Sequence, residues 1–173
     1  VWPSTLIRLN DCSTAFVKTS CASDSLIFTS DIKPAKPTPP SLEELQKMIS
    51  RGPFNQWLNF TFIKADDSGI EVKATWREEW VVHPERQYTH GGILAAIVDV
   101  AADYAIAAKL GRPVPTIDIR VDYHKAAMPG DLTAKAHIVR SGSQFSSAEA
   151  YVYDKDGALV ASGRGTYFTA PPK

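Results

Sequence analysis

His90-Gly91-Gly92, followed after six residues by Asp99, is the part of this chain whose residue types and spacing could do chemistry. Glycines at the start of a helix let another molecule come close to the backbone. The N–H groups of a first helical turn are unpaired and carry partial positive charge. Such a site suits an oxyanion, or a carbonyl on its way to becoming one. A Gly-Gly pair by itself serves equally well as a tight strand-to-helix turn. Asp99 shifts the balance, because it sits between Val98 and Val100 in a run, Ile93 to Ala108, where fourteen of sixteen residues are apolar. Burying an unpartnered carboxylate costs on the order of several kcal/mol. Asp99 is therefore either satisfied by backbone donors or an arginine, or it is a general base or nucleophile facing an acyl group. Asp103 lies one turn further on the same face. Being nearer the helix end, it is expected to meet solvent, Lys109 or Arg112.

The other polar residues offer less. His124 and His137 fall in strand patterns and read as structural histidines. No His, Cys, Asp or Glu set has metal-ligand spacing, so neither a metal nor another cofactor is predicted. Ser141, Ser143, Ser146 and Ser147 lack the Gly-x-Ser-x-Gly elbow of a serine hydrolase. Gly163-Arg164-Gly165 reads as a bend or bulge in a strand, with Arg164 as surface charge.

The elements that must position Asp99 follow from the periodicity. Ser41 and Glu44 make a capping-box pattern ahead of Leu42, Leu45, Met48 and Ile49, and Gly52-Pro53 ends that helix. Phe60–Ala65 and Ile70–Arg77 read as strands around the Asp66-Asp67-Ser68-Gly69 turn. The Ala-rich apolar run is a helix with no polar side, which predicts enclosure by protein. Its two aspartates argue against a membrane span. Gly111, Pro113 and Pro115 stop it. Strands are then expected over Thr116–Tyr123, Leu132–Arg140, Gln144–Tyr153 and Ala158–Phe168. Short turns between most of the strands demand antiparallel neighbours. One all-round apolar helix among about six such strands needs an α+β fold in which a curved sheet wraps the helix.

Composition sets the frame. The 173 residues carry 19 basic and 19 acidic side chains, a net charge of zero, which excludes partners recognised mainly by charge, nucleic acid or a membrane surface. The length supports one domain with an appendage. Residues 1–40 are Ser/Thr-rich and end in a proline-rich linker, and are expected to be a loosely ordered tail. Residues 41–173 are expected to form the single domain. Asp11, Asp24 and Asp31 argue against a transit peptide. Both cysteines, Cys12 and Cys21, lie in the tail, so the domain folds without disulfides and a reducing, cytoplasmic location is expected.

His90-Gly91-Gly92-x6-Asp99, with Thr116-Ile-Asp-Ile-Arg-Val-Asp-Tyr123 after it, resembles the hotdog-fold acyl-CoA thioesterases of the PaaI-like (phenylacetate-pathway) subgroup. The resemblance runs from about Phe60 to Phe168. It implies a long helix wrapped by an antiparallel sheet, homodimers or homotetramers with active sites at the subunit boundary, and metal-free hydrolysis of an acyl-CoA. By the same resemblance Gly91, with the N–H of Gly92, polarises the thioester carbonyl, and His90, a further catalytic candidate, shapes the turn and contacts the thioester side. Asp99 of the partner subunit activates water or attacks the carbonyl, and Thr116 orients the water. Many relatives carry an Asn where this chain has Pro84; His83 or Gln87 could supply its hydrogen bonds. Arg140, Ser141 and Gln144, bracketing a strand turn, could touch CoA phosphates or pantetheine, or be a solvated turn. A non-catalytic acyl-CoA sensor and a hotdog hydratase or dehydratase are the competing functions.

Overall fold

The computed structural model describes residues 39–171; most of the tail, with Cys12 and Cys21, lies outside the described residues. Ser41 caps α1 (Leu42–Ile49) through a complete capping box: its hydroxyl accepts the Glu44 N–H at 3.2 Å, and the Glu44 carboxylate accepts the Ser41 N–H at 2.7 Å. Gly52-Pro53 does not simply end this helix. Gly52 is the N-cap of a second, six-residue helix, α2 (Pro53–Leu58), whose proline occupies a first-turn position where the missing N–H costs nothing.

Six strands follow the expected pattern: β1 (Phe60–Asp66), β2 (Gly69–Ala74), β3 (Thr116–Tyr123), β4 (Leu132–Arg140), β5 (Phe145–Tyr153) and β6 (Leu159–Phe168). Between β2 and β3 runs the 20-residue α3 (Gly91–Leu110). The strands form one antiparallel sheet in the order β1-β2-β4-β5-β6-β3, curved around α3. This is the hotdog fold. Chain order and sheet order part at β3, which lies beside β6 and leaves one edge of the sheet unpaired in the single chain.

Alanines make the wrap possible. Ala134, Ala136, Ala148 and Ala150 are buried in the sheet, and Ala101, Ala102, Ala105 and Ala107 are buried on the helix. Small side chains on both surfaces allow a close approach, while Ile97, Val98, Ile106, Leu132 and Val152 fill what remains. Enclosure of α3 is incomplete, contrary to the reading of its apolar periphery. Gly92 is exposed, and Ile93, Ala96, Asp99, Val100 and Asp103 are only half-buried, forming a stripe at helical spacing that the sheet does not cover.

Gly163-Arg164-Gly165 is also corrected: β6 pairs there without a register shift, opposite Val121, Arg120 and Ile119 of β3. The glycines are needed for space. A Cβ on Gly163 would come 2.7 Å from Val98 Cγ1 and would also strike the Arg120 carbonyl. Arg164 is paired with the Glu149 carboxylate. Gly163→Ala should therefore cost about 1–3 kcal/mol of stability, the range for overpacking a close contact. Denaturant unfolding checks this, and an unchanged midpoint and slope would contradict the contact.

Candidate active site

His90 is the N-cap of α3. Its Nδ1 accepts the Gly92 N–H at 2.8 Å, and its own N–H donates to the Trp80 carbonyl at 2.7 Å. The Ile93 N–H turns back to the His90 carbonyl. Gly92 thus has its N–H engaged by the His90 ring, and among the described residues the Gly91 N–H is the first-turn donor left without an acceptor. No acidic side chain lies in this first turn, whereas α1 has Glu43 and Glu44 there. The positive end of α3 is accordingly not neutralised by the chain's own carboxylates. The Tyr123 ring, from the end of β3, lies where a Gly91 Cβ would meet it at 3.4 Å, and its hydroxyl donates to the Gly91 carbonyl at 3.1 Å.

Asp99 is two turns on, at the other end of β3. Its Oδ1 accepts the Thr116 hydroxyl at 2.9 Å and the Tyr167 hydroxyl at 3.2 Å; the Tyr167 hydroxyl also lies 3.1 Å from the Asp99 backbone carbonyl. Register explains the meeting: Thr116 of β3 pairs with Tyr167 of β6, and both side chains face α3. A helix rises about 1.5 Å per residue. Eight residues therefore set Gly91 and Asp99 roughly 12 Å apart along one helix, too far for a single thioester to touch both within one chain.

The remaining predicted residues divide between these two ends. His83 and Gln87 belong to the loop before α3, but each is used by its own turn. His83 Nδ1 accepts the Glu85 and Arg86 N–H groups at 3.3 Å, and Gln87, at φ 59°, donates its side-chain amide to the Pro84 carbonyl at 2.6 Å. Arg140 ends β4, and Ser141 and Gln144 sit in the turn to β5, at the Asp99 end of the sheet, since Ser146 pairs with Tyr167. Their side chains make no hydrogen bond to the Asp99 group among the described residues; the Gln144 carbonyl accepts the Thr169 N–H. His124 bonds Ser162, and His137 stacks on Tyr151 of the outer sheet face. A hollow of about 330 Å³ on that face, lined by Arg120, Asp122, Glu149 and Arg164, has its charges already paired internally.

Asp103 does not meet Lys109 or Arg112. Its Oδ1 accepts the Val114 N–H at 2.9 Å, while Arg112 donates to the Thr169 and Ala170 carbonyls. Burial, helped by the negative charge of Asp99 and opposed by the Val114 bond, pushes its carboxyl up to about 7. Sequence reading missed Tyr167 and Tyr123 as site residues. The signal available was the inward parity that each shares with an apolar neighbour on its strand.

Comparison with known proteins decides the family. The thioesterase superfamily profile matches residues 87–161, the span from the loop before α3 into the first residues of β6. A Halobacterium salinarum protein carrying the name of an esterase is 35% identical over 114 residues, 60% of this chain and 75% of that one. A solved structure described as a thioesterase superfamily protein is 50% identical with a TM-score of 0.72, covering 73% of this chain and 96% of the other. The chain belongs to the thioesterase superfamily. The medium/long-chain acyl-CoA thioesterase YigI of Salmonella typhimurium is a more distant relative, 24% identical over 131 residues, 66% of this chain and 84% of its own. Thioester hydrolysis is thus the chemistry that this thioesterase's site must be measured against. Among its described residues no helix is long and apolar enough to cross a membrane.

Asp103 gives this thioesterase a pH-dependent stability. Its folded value near 7 lies above the ordinary carboxylate range, so between about pH 4 and 7 the folded state holds a proton that the unfolded chain has lost. Stability falls across that window as pH rises and is level above it. Asp103→Asn keeps an acceptor for Val114 and removes the titration. Its melting temperature should exceed that of the unchanged protein more at pH 8 than at pH 5. An equal difference at both pH values would contradict the buried-carboxyl assignment.

Proposed function

We propose that this protein is an acyl-CoA thioesterase of the PaaI-like type, whose active sites are shared between two subunits. The reading rests on one observation above all: the Gly91 N–H and the Asp99 carboxylate, each equipped for one half of the reaction, are separated by two turns of the same helix. A two-fold axis that sets two α3 helices side by side and antiparallel would bring Gly91 of one chain to Asp99 of the partner subunit. The uncovered stripe Gly92-Ala96-Asp99-Asp103 and the unpaired edge of β3, with Ile117 and Tyr123 exposed, support such a partner. An eight-residue edge strand with apolar side chains in water is what native sheets ordinarily cover.

In the reaction the thioester carbonyl oxygen points at the Gly91 N–H and the positive end of α3, which stabilise the oxyanion as it forms. Asp99 of the partner subunit either takes a proton from water as that water's oxygen bonds to the carbonyl carbon, or attacks the carbon itself. The C–S bond breaks and the thiolate of CoA leaves, to be protonated by solvent or, on the water route, by the acid that Asp99 has become; on the direct route this leaves an acyl–Asp99 anhydride, which water then hydrolyses to the free acid and Asp99. Single turnover in ¹⁸O-water tests for direct attack: a first product without ¹⁸O has drawn its oxygen from Asp99, water having entered at the Asp99 carboxyl carbon of the anhydride. His90 fixes the turn through its bond to the Gly92 N–H, Thr116 holds the carboxylate, and Arg140, Ser141 and Gln144 are candidates for contact with the CoA end. His83 and Gln87 are candidates for the pocket lining. We place the activity in residues 41–173, so a chain beginning at Pro40 should keep its turnover within about twofold.

Release of free CoA from hexanoyl-, decanoyl-, palmitoyl- and phenylacetyl-CoA tests the reading, the longer chains being suggested by the YigI relatives. A sensor would bind without releasing thiol, and a hydratase would change enoyl-CoA absorbance instead. Asp99→Asn should lower turnover by about 10²–10⁴, the scale for loss of a general base, with the fold retained. Turnover within a few-fold of the original would defeat the Asp99 mechanism.

A further inference from the structure

Asp99 has its two carboxylate oxygens in unlike surroundings. Oδ1 accepts the Thr116 hydroxyl at 2.9 Å and shares the Tyr167 hydroxyl, at 3.2 Å, with the Asp99 backbone carbonyl at 3.1 Å, and among the described residues Oδ2 has no hydrogen-bond partner. Thr116 stands on an exposed strand end, but Tyr167 is fully buried, and burial together with the charge of Asp99 keeps its phenol protonated as a donor. Gly165 makes room for this ring: a Cβ there would lie 2.6 Å from Tyr167 Cε2 and Cζ. β6 therefore gives up a side chain on the helix-facing side so that a phenol from two residues away can lie across it and reach the helix.

We propose that Tyr167 is a positioning residue that holds Asp99 by Oδ1 and so presents Oδ2 as the acting oxygen. This rests on the role assigned to Asp99 above. A carboxylate free to rotate exchanges its oxygens and loses aim; one held at a single oxygen by two hydroxyls keeps the other turned to the open stripe of α3. The phenol also gives the Oδ1 end of the carboxylate a second hydroxyl donor beside that of Thr116. The polar groups that face it are few. Asp103 is on α3, Tyr167 on β6 and Thr116 on β3, and the buried residues of β4 and β5 that face the helix include Ala134, Ala148 and Ala150.

Tyr167→Phe keeps the ring and removes the donor. With the acyl-CoA of the panel turned over fastest, the acid limb of its kcat/KM profile should move up by about half to one pH unit. Plateau kcat should fall roughly tenfold, with KM unchanged within about twofold. Because Asp103 is a second titrating carboxyl one turn away, the same shift should appear in an Asp103→Asn background. Gly165→Ala, which displaces the ring, should move the limb in the same direction. Should Tyr167→Phe fail to fold, 3-fluorotyrosine at position 167 keeps the shape and donates more strongly, and the limb should then move down. A loss equal at every pH, with the limb in place in each of these variants, would make Tyr167 a packing residue and overturn the inference. If Asp99→Asn is inactive and Tyr167→Phe leaves the limb unmoved, only this inference falls. If Asp99→Asn stays active, the reading of the site itself falls.

Discussion

Rigid spacing along α3 governs everything else in this protein. A helical backbone cannot bring residues 91 and 99 together, so the donor at the start of the helix and the carboxylate two turns later stand apart within one chain; in the function proposed above they serve one substrate molecule between two chains. The sheet is arranged to keep both ends usable. It packs alanines against the far side of the helix and leaves the stripe from Gly92 to Asp103 uncovered. It also sets β3 at an edge, where its first residue, Thr116, reaches Asp99 and its last, Tyr123, covers Gly91. One strand thus spans the distance that the helix imposes.

The two ends differ in what holds them. At the start of α3 the work is done by local backbone geometry: the His90 ring engages one N–H, its own N–H is tied to Trp80, and one donor remains. At Asp99 it is done by side chains from distant strands, brought together by register and by the missing side chain at Gly165. The second arrangement is the more fragile to substitution, since it depends on three elements packing at once. Asp103 shows the cost of a carboxylate in the same helix with a single backbone donor, its proton retained to near neutrality.

Much of the fold was legible because local chemistry and global pattern agree. Alternation marked β3 and β4 to the residue, the Ser41–Glu44 box marked α1, and the Ala-rich run marked α3. Three features were not legible, each for a physical reason. The open stripe of α3 has no polar signature, because Ile93, Ala96 and Val100 are apolar whether they meet the sheet or another chain. The neighbour of β3 is fixed by tertiary packing, so nothing local says that Thr116 pairs with Tyr167, about fifty residues of chain away, rather than with β4. Gly163 and Gly165 look like a bulge in one dimension, and only the approach of Val98 and the Tyr167 ring shows that they clear space. The motif from His90 to Asp99 was readable as spacing, whereas the engagement of the Gly92 N–H by His90 depends on a side-chain rotamer.

The central claim, that one thioester is served by two chains, can be measured directly with hybrid dimers. Gly91→Pro removes the free N–H while keeping a residue that the first helical turn tolerates, and His90 already has the extended conformation that precedes proline. Asp99→Asn removes the carboxylate. Each variant alone should be nearly inactive. A dimer carrying one subunit of each, purified through two different tags, contains one site with both groups intact and one with neither, and should show about half the turnover of the unmodified dimer. Hybrid dimers no more active than either parent would contradict the shared site and place both groups in the service of a single chain.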